Sequence, residues 1–197
     1  MKKAIFLDKD GTIIKNVPYN VDPKKVRLFK DAGFALQKLK NAGFLLIMVS
    51  NQAGVAKGYF SEKALVHMRN KLEELLSEFD VALDGFYYCP HHPEGTIKEY
   101  AIECLCRKPQ AGMLLKAAEE HNIDSSASWT IGDILNDIEA GNTIGTRTIL
   151  LDNGNETEWE LNEKRRPDYI VKNLEEAVNR ILFAEAAKIM GGIAYEG

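Results

Sequence analysis

Residues 6–13 read FLDKDGTI and join an apolar run to two acids. The run 4–7 predicts a short strand that is buried in a sheet. Asp8 and Asp10 follow it, and Asp10-Gly11-Thr12 is by itself a credible turn. Acids that converge where a buried strand ends repel one another unless a cation lies between them, and Mg²⁺ prefers carboxylate oxygens. The stretch therefore predicts either a structural turn or a metal and phosphate site.

Outward from this stretch, strand-like and helix-like segments alternate along the chain. Continuous apolar runs such as 44–49 predict strands that are buried on both faces. Apolar residues at helical spacing predict helices, the longest over 61–79 with Ser61 as its N-cap. The predicted strands are 4–7, 44–49, 85–88, 129–131, 146–151 and 169–171, and the predicted helices are 31–42, 61–79, 111–121, 134–143 and 174–187. This alternation predicts an α/β fold with βαβ units, a mainly parallel sheet and three α/β/α layers in a Rossmann-like arrangement.

The length and the composition limit the domain count and the partners. A chain of 197 residues predicts one domain, placed at 1–187 with the loop 89–109 inserted in it, and a tail at 188–197. The net charge of −4 lacks the basic footprint of nucleic-acid-binding proteins. No apolar run is long enough for a membrane span, and the run after the first lysines is too short for a signal peptide. We expect a cytoplasmic monomer that acts on a small molecule, without nucleic acid or a membrane as partner.

Polar residues gather where the predicted strands end. Asp8 and Asp10 follow the first strand, Ser50 follows the second, and Asp133 follows the fourth. Ligands of open α/β sheets bind beyond the carboxyl ends of the strands, so these side chains are expected to share one edge. A carboxylate there can attack phosphorus, while a second acid protonates the leaving oxygen and then activates water. Lys108 and the Ser50 hydroxyl can stabilise the charge on the transferred phosphoryl group.

The loop CPHHPEGTIKEYAIECLCRKP, residues 89–109, holds all three cysteines of the chain. The pattern C-x-H…C-x-C offers four metal ligands, which are Cys89, His91, Cys104 and Cys106. Three thiolates and one imidazole form a closed tetrahedral Zn²⁺ site that has no open position for catalysis. Such a site would order a long loop that lacks a core of its own. The alternative is three unrelated free cysteines, and His92 is a competing ligand.

Four segments together resemble the motifs of the haloacid dehalogenase-type (HAD) phosphatase superfamily. They are DKDGT (8–12), SNQ (50–52), RKP (107–109) and GDILND (132–137), and they follow the order of that family. Four motifs in order disfavour a purely structural turn at the first strand. The resemblance implies a HAD fold and a phosphatase that depends on Mg²⁺. No insertion has the size of a mobile cap domain, so short loops are expected to cover the site.

The resemblance also implies a role for each motif residue. Asp8 would be the nucleophile, Asp10 the general acid and base, Ser50 and Lys108 the phosphoryl-binding groups, and Asp133 a Mg²⁺ ligand beside Asp8 and the backbone carbonyl of Asp10. Asp137 would lie behind them and hold Lys108 or a water on the metal.

The cysteine loop resembles the zinc-loop branch of the superfamily, which contains phosphatases of heptose bisphosphates and of histidinol phosphate. The matching segments are LDGFYYCPHHPEG (83–95) and CLCRKPQAGML (104–114). Twelve residues separate His91 from Cys104, whereas the histidinol-phosphate enzymes usually have a shorter stretch there. The resemblance therefore implies removal of the 7-phosphate of a heptose 1,7-bisphosphate, with histidinol phosphate or a broad set of sugar phosphates as the alternatives. The branch implies substrate contacts from Asn16, Tyr19, Asn51, Gln52, Ala53 and Arg107.

Two other classes of function remain as alternatives. An inactive zinc-loop binding protein would be favoured if Asp8 or Asp10 were missing, and both are present. A zinc-ribbon nucleic-acid module is disfavoured by the acidic charge and by a spacing that departs from C-x-x-C.

Overall fold

The computed structural model describes residues 1–193, with side chains up to residue 188, and it contains six strands and five helices within that range. The strands are β1 Ala4–Leu7, β2 Leu45–Asn51, β3 Gly85–Cys89, β4 Trp129–Gly132, β5 Arg147–Leu151 and β6 Tyr169–Val171. The helices are α1 Ala32–Asn41, α2 Glu62–Ser77, α3 Gly112–His121, α4 Leu135–Thr143 and α5 Leu174–Ile193. Short 3₁₀ turns lie at Pro23–Lys25 and Ser125–Ala127. Each predicted element is present.

Strand β1 lies inside a sheet with the order β3-β2-β1-β4-β5-β6. Every described strand pair in this sheet is parallel. Leu7, the last residue of β1, is in register with Met48 of β2 and Ile131 of β4. Because the strand order reverses at β1, the carboxyl ends of β1, β2 and β4 meet at the edge where ligands of such sheets bind.

Helices cover both faces of the sheet, since alternate residues of each strand point to opposite sides. Ile5 and Leu7 of β1 join a core with α1, α2 and α5. Ala4 and Phe6 pack on the other face with α3 and α4. All four side chains are fully buried, and the burial of each large one stabilises the fold by about 1.5–3 kcal/mol. The predicted three-layer α/β/α fold is confirmed, and β1 is a rigid support for the acids that follow it.

The connections at the carboxyl edge are loops. Turns and one 3₁₀ turn join β1 to α1, and an extended loop joins β3 to α3. Within residues 1–193 neither connection contains an inserted cap domain. In the same range no helix combines the length and the apolar character that a bilayer crossing requires.

Helix α5 continues to Ile193, beyond its predicted end at residue 187. The segment after 183 reads AEAAKIM, in which most residues are strong helix formers and none is proline, so the helix has no reason to stop there. The predicted tail 188–197 therefore begins inside α5, and its residues 194–197 lie outside the described residues. The domain boundary at 187 stays a prediction.

Candidate active site

Strand β1 delivers Asp8 and Asp10 to the carboxyl edge of the sheet. The Asp8 N–H still donates to the carbonyl of Ile131 in β4, at 3.0 Å. Gly11 follows with a left-handed backbone (φ +86°), which turns the chain away from the strand direction. Lys9 is almost fully buried, and its Nζ lies 2.7 Å from both carboxylate oxygens of Asp10. The two acids are thus held by different partners.

Lys108 lies between two buried carboxylates. Its Nζ is 2.6 Å from Asp8 Oδ1 and 2.6 Å from Asp137 Oδ1, and it also donates to the carbonyl of Val49 at 2.8 Å. Burial lowers the pKa of Lys108, but the charges of Asp137 and Asp8 outweigh this effect and raise the pKa. The lysine therefore stays protonated, and it fixes the position of the Asp8 carboxylate.

Asp133 completes a cluster of three buried acids with Asp8 and Asp137, whose oxygens lie within 4.8 Å of one another. Burial raises the pKa of Asp8 to about 7 and the pKa of Asp133 to about 8, and the charge of Asp8 adds to the rise at Asp133. Three buried carboxylates around a single ammonium group are short of positive charge. A divalent cation would supply that charge, and oxygen ligands are those that Mg²⁺ prefers. The donor set therefore fits Mg²⁺.

Strand β2 ends beside this cluster with three polar residues. The Ser50 hydroxyl accepts a hydrogen bond from Gln52 Nε2 at 2.7 Å, and the same amide lies 3.3 Å from Asp10 Oδ2. Asn51 binds the backbone of Lys108 in both directions: its Oδ1 accepts from the N–H and its Nδ2 donates to the carbonyl, each at 3.0 Å. Asn51 thereby fastens the segment that carries Lys108 to the end of β2.

Two neighbouring cavities open at this edge. The inner cavity, of about 190 Å³, is lined by Asp8, Asp10, Ser50, Lys108 and Asp133, among others. The outer cavity, of about 320 Å³, is lined by residues that include Tyr19, Gln52, Ala53 and Arg107. Asp10, Asn16 and Asn51 line both, so the cleft leads from the acid cluster to Arg107. Each residue that the sequence predicts to bind phosphate or substrate lines at least one of the two cavities.

Sequence reasoning missed three groups at the site besides Lys9. Asn155 Nδ2 donates to Asp133 Oδ2 at 2.7 Å, and Asn153 Nδ2 donates to the Gly11 carbonyl at 2.6 Å. Thr12 Oγ1 donates to Asp133 Oδ1 at 3.3 Å. A signal for the asparagines was available, because LDNGNE (151–156) places polar residues after a strand in the same way as the recognised motifs do.

The four predicted zinc ligands form a second cluster. The Cys106 sulfur lies 2.9 Å from that of Cys89 and 3.2 Å from that of Cys104, and His91 Nδ1 lies 3.3 Å from Cys106 Sγ. None of the three cysteines is in a disulfide. Burial raises the pKa of the Cys89 thiol, so a cation is needed to hold it as a thiolate. Four nitrogen and sulfur ligands at such close range fit tetrahedral Zn²⁺.

The neighbouring residues His92 and Tyr100 support this loop without joining the cluster. His92 Nδ1 accepts from the Glu94 N–H at 3.1 Å, whereas His91 points its Nδ1 at the sulfurs. The Tyr100 ring lies 6.1 Å from the His91 ring, and its hydroxyl donates to Glu62 of α2 at 2.7 Å. The loop is therefore tied to α2.

Comparison with known proteins identifies relatives over most of the chain. Residues 105–177 match a HAD-hydrolase-like family. The D-glycero-β-D-manno-heptose-1,7-bisphosphate 7-phosphatase of Haemophilus ducreyi is 43% identical over 151 residues, which cover 76% of this chain and 82% of the relative. The protein of the same name from Pasteurella multocida is 40% identical over 175 residues, which cover 88% of this chain and 94% of the relative.

Solved structures agree with these relatives. A HAD-like phosphatase of Mesorhizobium loti superposes with a TM-score of 0.80 at 30% identity, over 91% of this chain and 86% of the other. The D,D-heptose 1,7-bisphosphate phosphatase of B. bronchiseptica, solved with magnesium and phosphate, gives a TM-score of 0.79 at 26% identity, over 92% of this chain and 99% of the other. The HAD resemblance of the sequence is thus confirmed. The chain belongs to the HAD-like hydrolases and, within them, to the family of the D-glycero-β-D-manno-heptose-1,7-bisphosphate 7-phosphatases.

Proposed function

We propose that this chain is a Mg²⁺-dependent phosphatase that removes the 7-phosphate of D-glycero-D-manno-heptose 1,7-bisphosphate through an aspartyl-phosphate. The supporting observation is a buried carboxylate, Asp8, held 2.6 Å from Lys108 in a chain that is 43% identical to a phosphatase named for that substrate. The names of the relatives specify the β anomer, so the β anomer is the substrate we expect.

In the first step, an oxygen of the Asp8 carboxylate attacks phosphorus, and the bond between phosphorus and the C7 oxygen breaks. Asp10, in its carboxylic acid form, gives its proton to that leaving oxygen. Lys108 and the Ser50 hydroxyl donate hydrogen bonds to the phosphoryl oxygens during the transfer. Lys108 is already in place before the substrate arrives, because Asp137 holds it from the second side.

In the second step, the Asp10 carboxylate takes a proton from a water molecule, and the water oxygen attacks the phosphorus. The bond between phosphorus and the Asp8 oxygen breaks. This releases inorganic phosphate and restores the Asp8 carboxylate and the Asp10 acid for the next turnover.

Two metal ions complete the proposal. Asp8, Asp133 and the backbone carbonyl of Asp10 would hold Mg²⁺, which supplies positive charge to the phosphoryl oxygens when it is bound. Cys89, His91, Cys104 and Cys106 would hold a structural Zn²⁺.

The outer cavity is proposed to take the sugar. Asn16 and Tyr19 border it on one side, and Gln52 and Ala53 on another. Arg107 supplies a fixed positive charge and a fork of donors, which suit a substrate that carries a second phosphate.

We also propose that the protein works as a cytoplasmic monomer. Reduced thiols persist in the cytosol, and none of the three cysteines forms a disulfide. The net charge of −4 gives no reason to expect nucleic acid as a partner, and no membrane partner is proposed.

The test is phosphate release by the purified protein with Mg²⁺, compared as kcat/KM. The substrates are both anomers of heptose 1,7-bisphosphate, histidinol phosphate and several hexose phosphates. We expect a large preference for the β heptose bisphosphate, and a preference for histidinol phosphate or uniformly low activity would contradict the substrate. The control Asp8→Asn should abolish turnover with an unchanged circular dichroism spectrum, because an amide does not attack phosphorus.

A further inference from the structure

The loop between β5 and β6, residues 152–168, lies outside the four family motifs and contributes Asn155 to the lining of the inner cavity. Asn155 donates to Asp133 Oδ2 at 2.7 Å, and Asn153 donates to the Gly11 carbonyl at 2.6 Å. Glu156 Oε2 accepts from the N–H of Leu135, the first residue of α4, at 2.6 Å. The loop therefore binds both the turn after β1 and the segment that carries Asp133.

Asp133 has partners of a different chemistry from those of the other two acids. Lys108 forms ion pairs with Asp8 and Asp137. The side-chain donors recorded for the Asp133 carboxylate are neutral, namely Asn155 at Oδ2 and Thr12 at Oδ1. An amide or hydroxyl donor fixes the direction of a carboxylate without cancelling its charge. Asp133 is thus held in place by neutral groups, so a cation that binds there does not have to displace an ammonium group.

The space around this hydrogen bond is tightly filled. A methyl group on Gly11 would lie 2.0 Å from Asp133 Oδ2 and 2.5 Å from Asn155 Nδ2. The backbone therefore passes directly against both atoms, and close packing of this kind leaves them little room to separate.

The far end of the loop is anchored to α4. Arg165 Nε lies 3.0 Å from Glu139 Oε2, and Asn142 Nδ2 donates to the Lys164 carbonyl at 2.8 Å. Asn155 therefore lies on a segment that is fixed at both ends. A residue that orients another side chain needs such a rigid support.

We propose that Asn155 is a positioning residue that orients the Asp133 carboxylate toward a divalent cation. The inference rests on the proposed function only in that the acid cluster binds Mg²⁺. Groups that orient a metal ligand from outside typically change metal affinity by roughly 10–100-fold when they are removed.

The test is the Kd for Mg²⁺, measured by titration calorimetry on the full chain without substrate. Asn155→Ala and Asn155→Leu both remove the donor, and leucine keeps the branching and the number of non-hydrogen atoms of the asparagine side chain. Each should raise the Kd by roughly 10–100-fold. The Mg²⁺ concentration for half-maximal phosphatase activity should rise in parallel, with a smaller change in kcat at saturating Mg²⁺.

Asn162→Ala is the matched control on the same loop. The Asn162 side chain accepts from the N–H groups of Lys164 and Arg165 at 2.9 and 3.1 Å, so its removal disturbs the loop locally. This variant should keep the wild-type Kd. Wild-type Kd values in both Asn155 variants, or an equal loss in Asn162→Ala, would overturn the inference and leave the phosphatase proposal standing. A wild-type protein that binds no Mg²⁺ would overturn the proposed metal site and the inference with it.

Discussion

Gly11 and Gly43 both adopt a left-handed backbone, with φ of +86° and +80°. Their surroundings differ. A methyl group on Gly43 would meet no atom within 4 Å, whereas one on Gly11 would lie 2.0 Å from Asp133 Oδ2. Substitutions at the two positions therefore distinguish the conformational role of glycine from the need for space beside the Asp133 carboxylate.

We expect Gly43→Ala to lower the free energy of unfolding by roughly 1–2 kcal/mol, the usual cost of a side chain in this backbone region. Gly11→Ala should lower it further and also weaken Mg²⁺ binding, because Asp133 must move away from the new methyl group. Urea denaturation and Mg²⁺ titration check both. Equal losses of stability with unchanged Mg²⁺ affinity would show that the clash is relieved elsewhere.

Individual residues also show which parts of the site could be predicted from the sequence. The placement of Asp8, Ser50 and Asp133 at one edge was predictable, because parallel strands share a carboxyl edge. The burial of Lys9 was not predictable, since a lysine between two acids in sequence is ordinarily expected at the surface. The contact between Asn155 and Asp133 joins residues 22 positions apart through a loop that has no periodic pattern. Such contacts depend on the loop's path, which local sequence does not define.

Among the elements, the loop from β3 to α3 connects the thiol cluster to Lys108. Cys106 directly precedes Arg107 and Lys108, so the cluster fixes where this backbone segment begins. Asn51 fixes it a second time through the two hydrogen bonds to Lys108. The spacing of the four candidate zinc ligands was predictable from the sequence. The two hydrogen bonds between Asn51 and Lys108 were not, because an amide at a strand end suits a substrate contact equally well.

We expect Cys104→Ser to lose bound zinc and thermal stability, because a tetrahedral site with one weak ligand no longer orders the loop. A loss of about 2 kcal/mol would lower the Tm by roughly 4–8 °C in a chain of this size. Elemental analysis and calorimetry measure the two effects. His92→Ala is the control, and it should keep its zinc because His92 bonds to Glu94 instead. Wild-type protein purified without zinc would refute the site.

For the whole molecule, the buried acids make folding depend on pH. The pKa of Asp8 rises from 3.8 to about 7 and that of Asp133 from 3.8 to about 8, in both cases chiefly by burial. Between pH 3.8 and about 7 for Asp8, and between pH 3.8 and about 8 for Asp133, the carboxyl group is protonated in the folded state and ionised in the unfolded state. The free energy of unfolding of the protein without Mg²⁺ therefore falls as pH rises, by up to about 1.4 kcal/mol per pH unit for each group.

We expect the Tm without added Mg²⁺ to fall as the pH rises from about 5 to about 8. Added Mg²⁺ should stabilise the protein more at the higher pH, because its ligands must be ionised. Differential scanning calorimetry across this range is the measurement. Asp133→Asn, which cannot ionise, should flatten both trends, and a wild-type Tm that climbs steadily without Mg²⁺ would contradict the expectation.

The central position of β1 has a consequence for how the chain folds. β1 can pair with β2 once the first half of the chain exists, but its other neighbour, β4, arrives only after Gly132 has been synthesised. Pairings between strands so distant in sequence form late, because a long loop must close first. A nascent chain that ends after β3 holds Asp8, Asp10 and Ser50 but lacks both Lys108 and Asp133. In a refolding experiment, we therefore expect phosphatase activity to return only when β4 has paired with β1, so that the rate of its recovery reports the rate of that pairing.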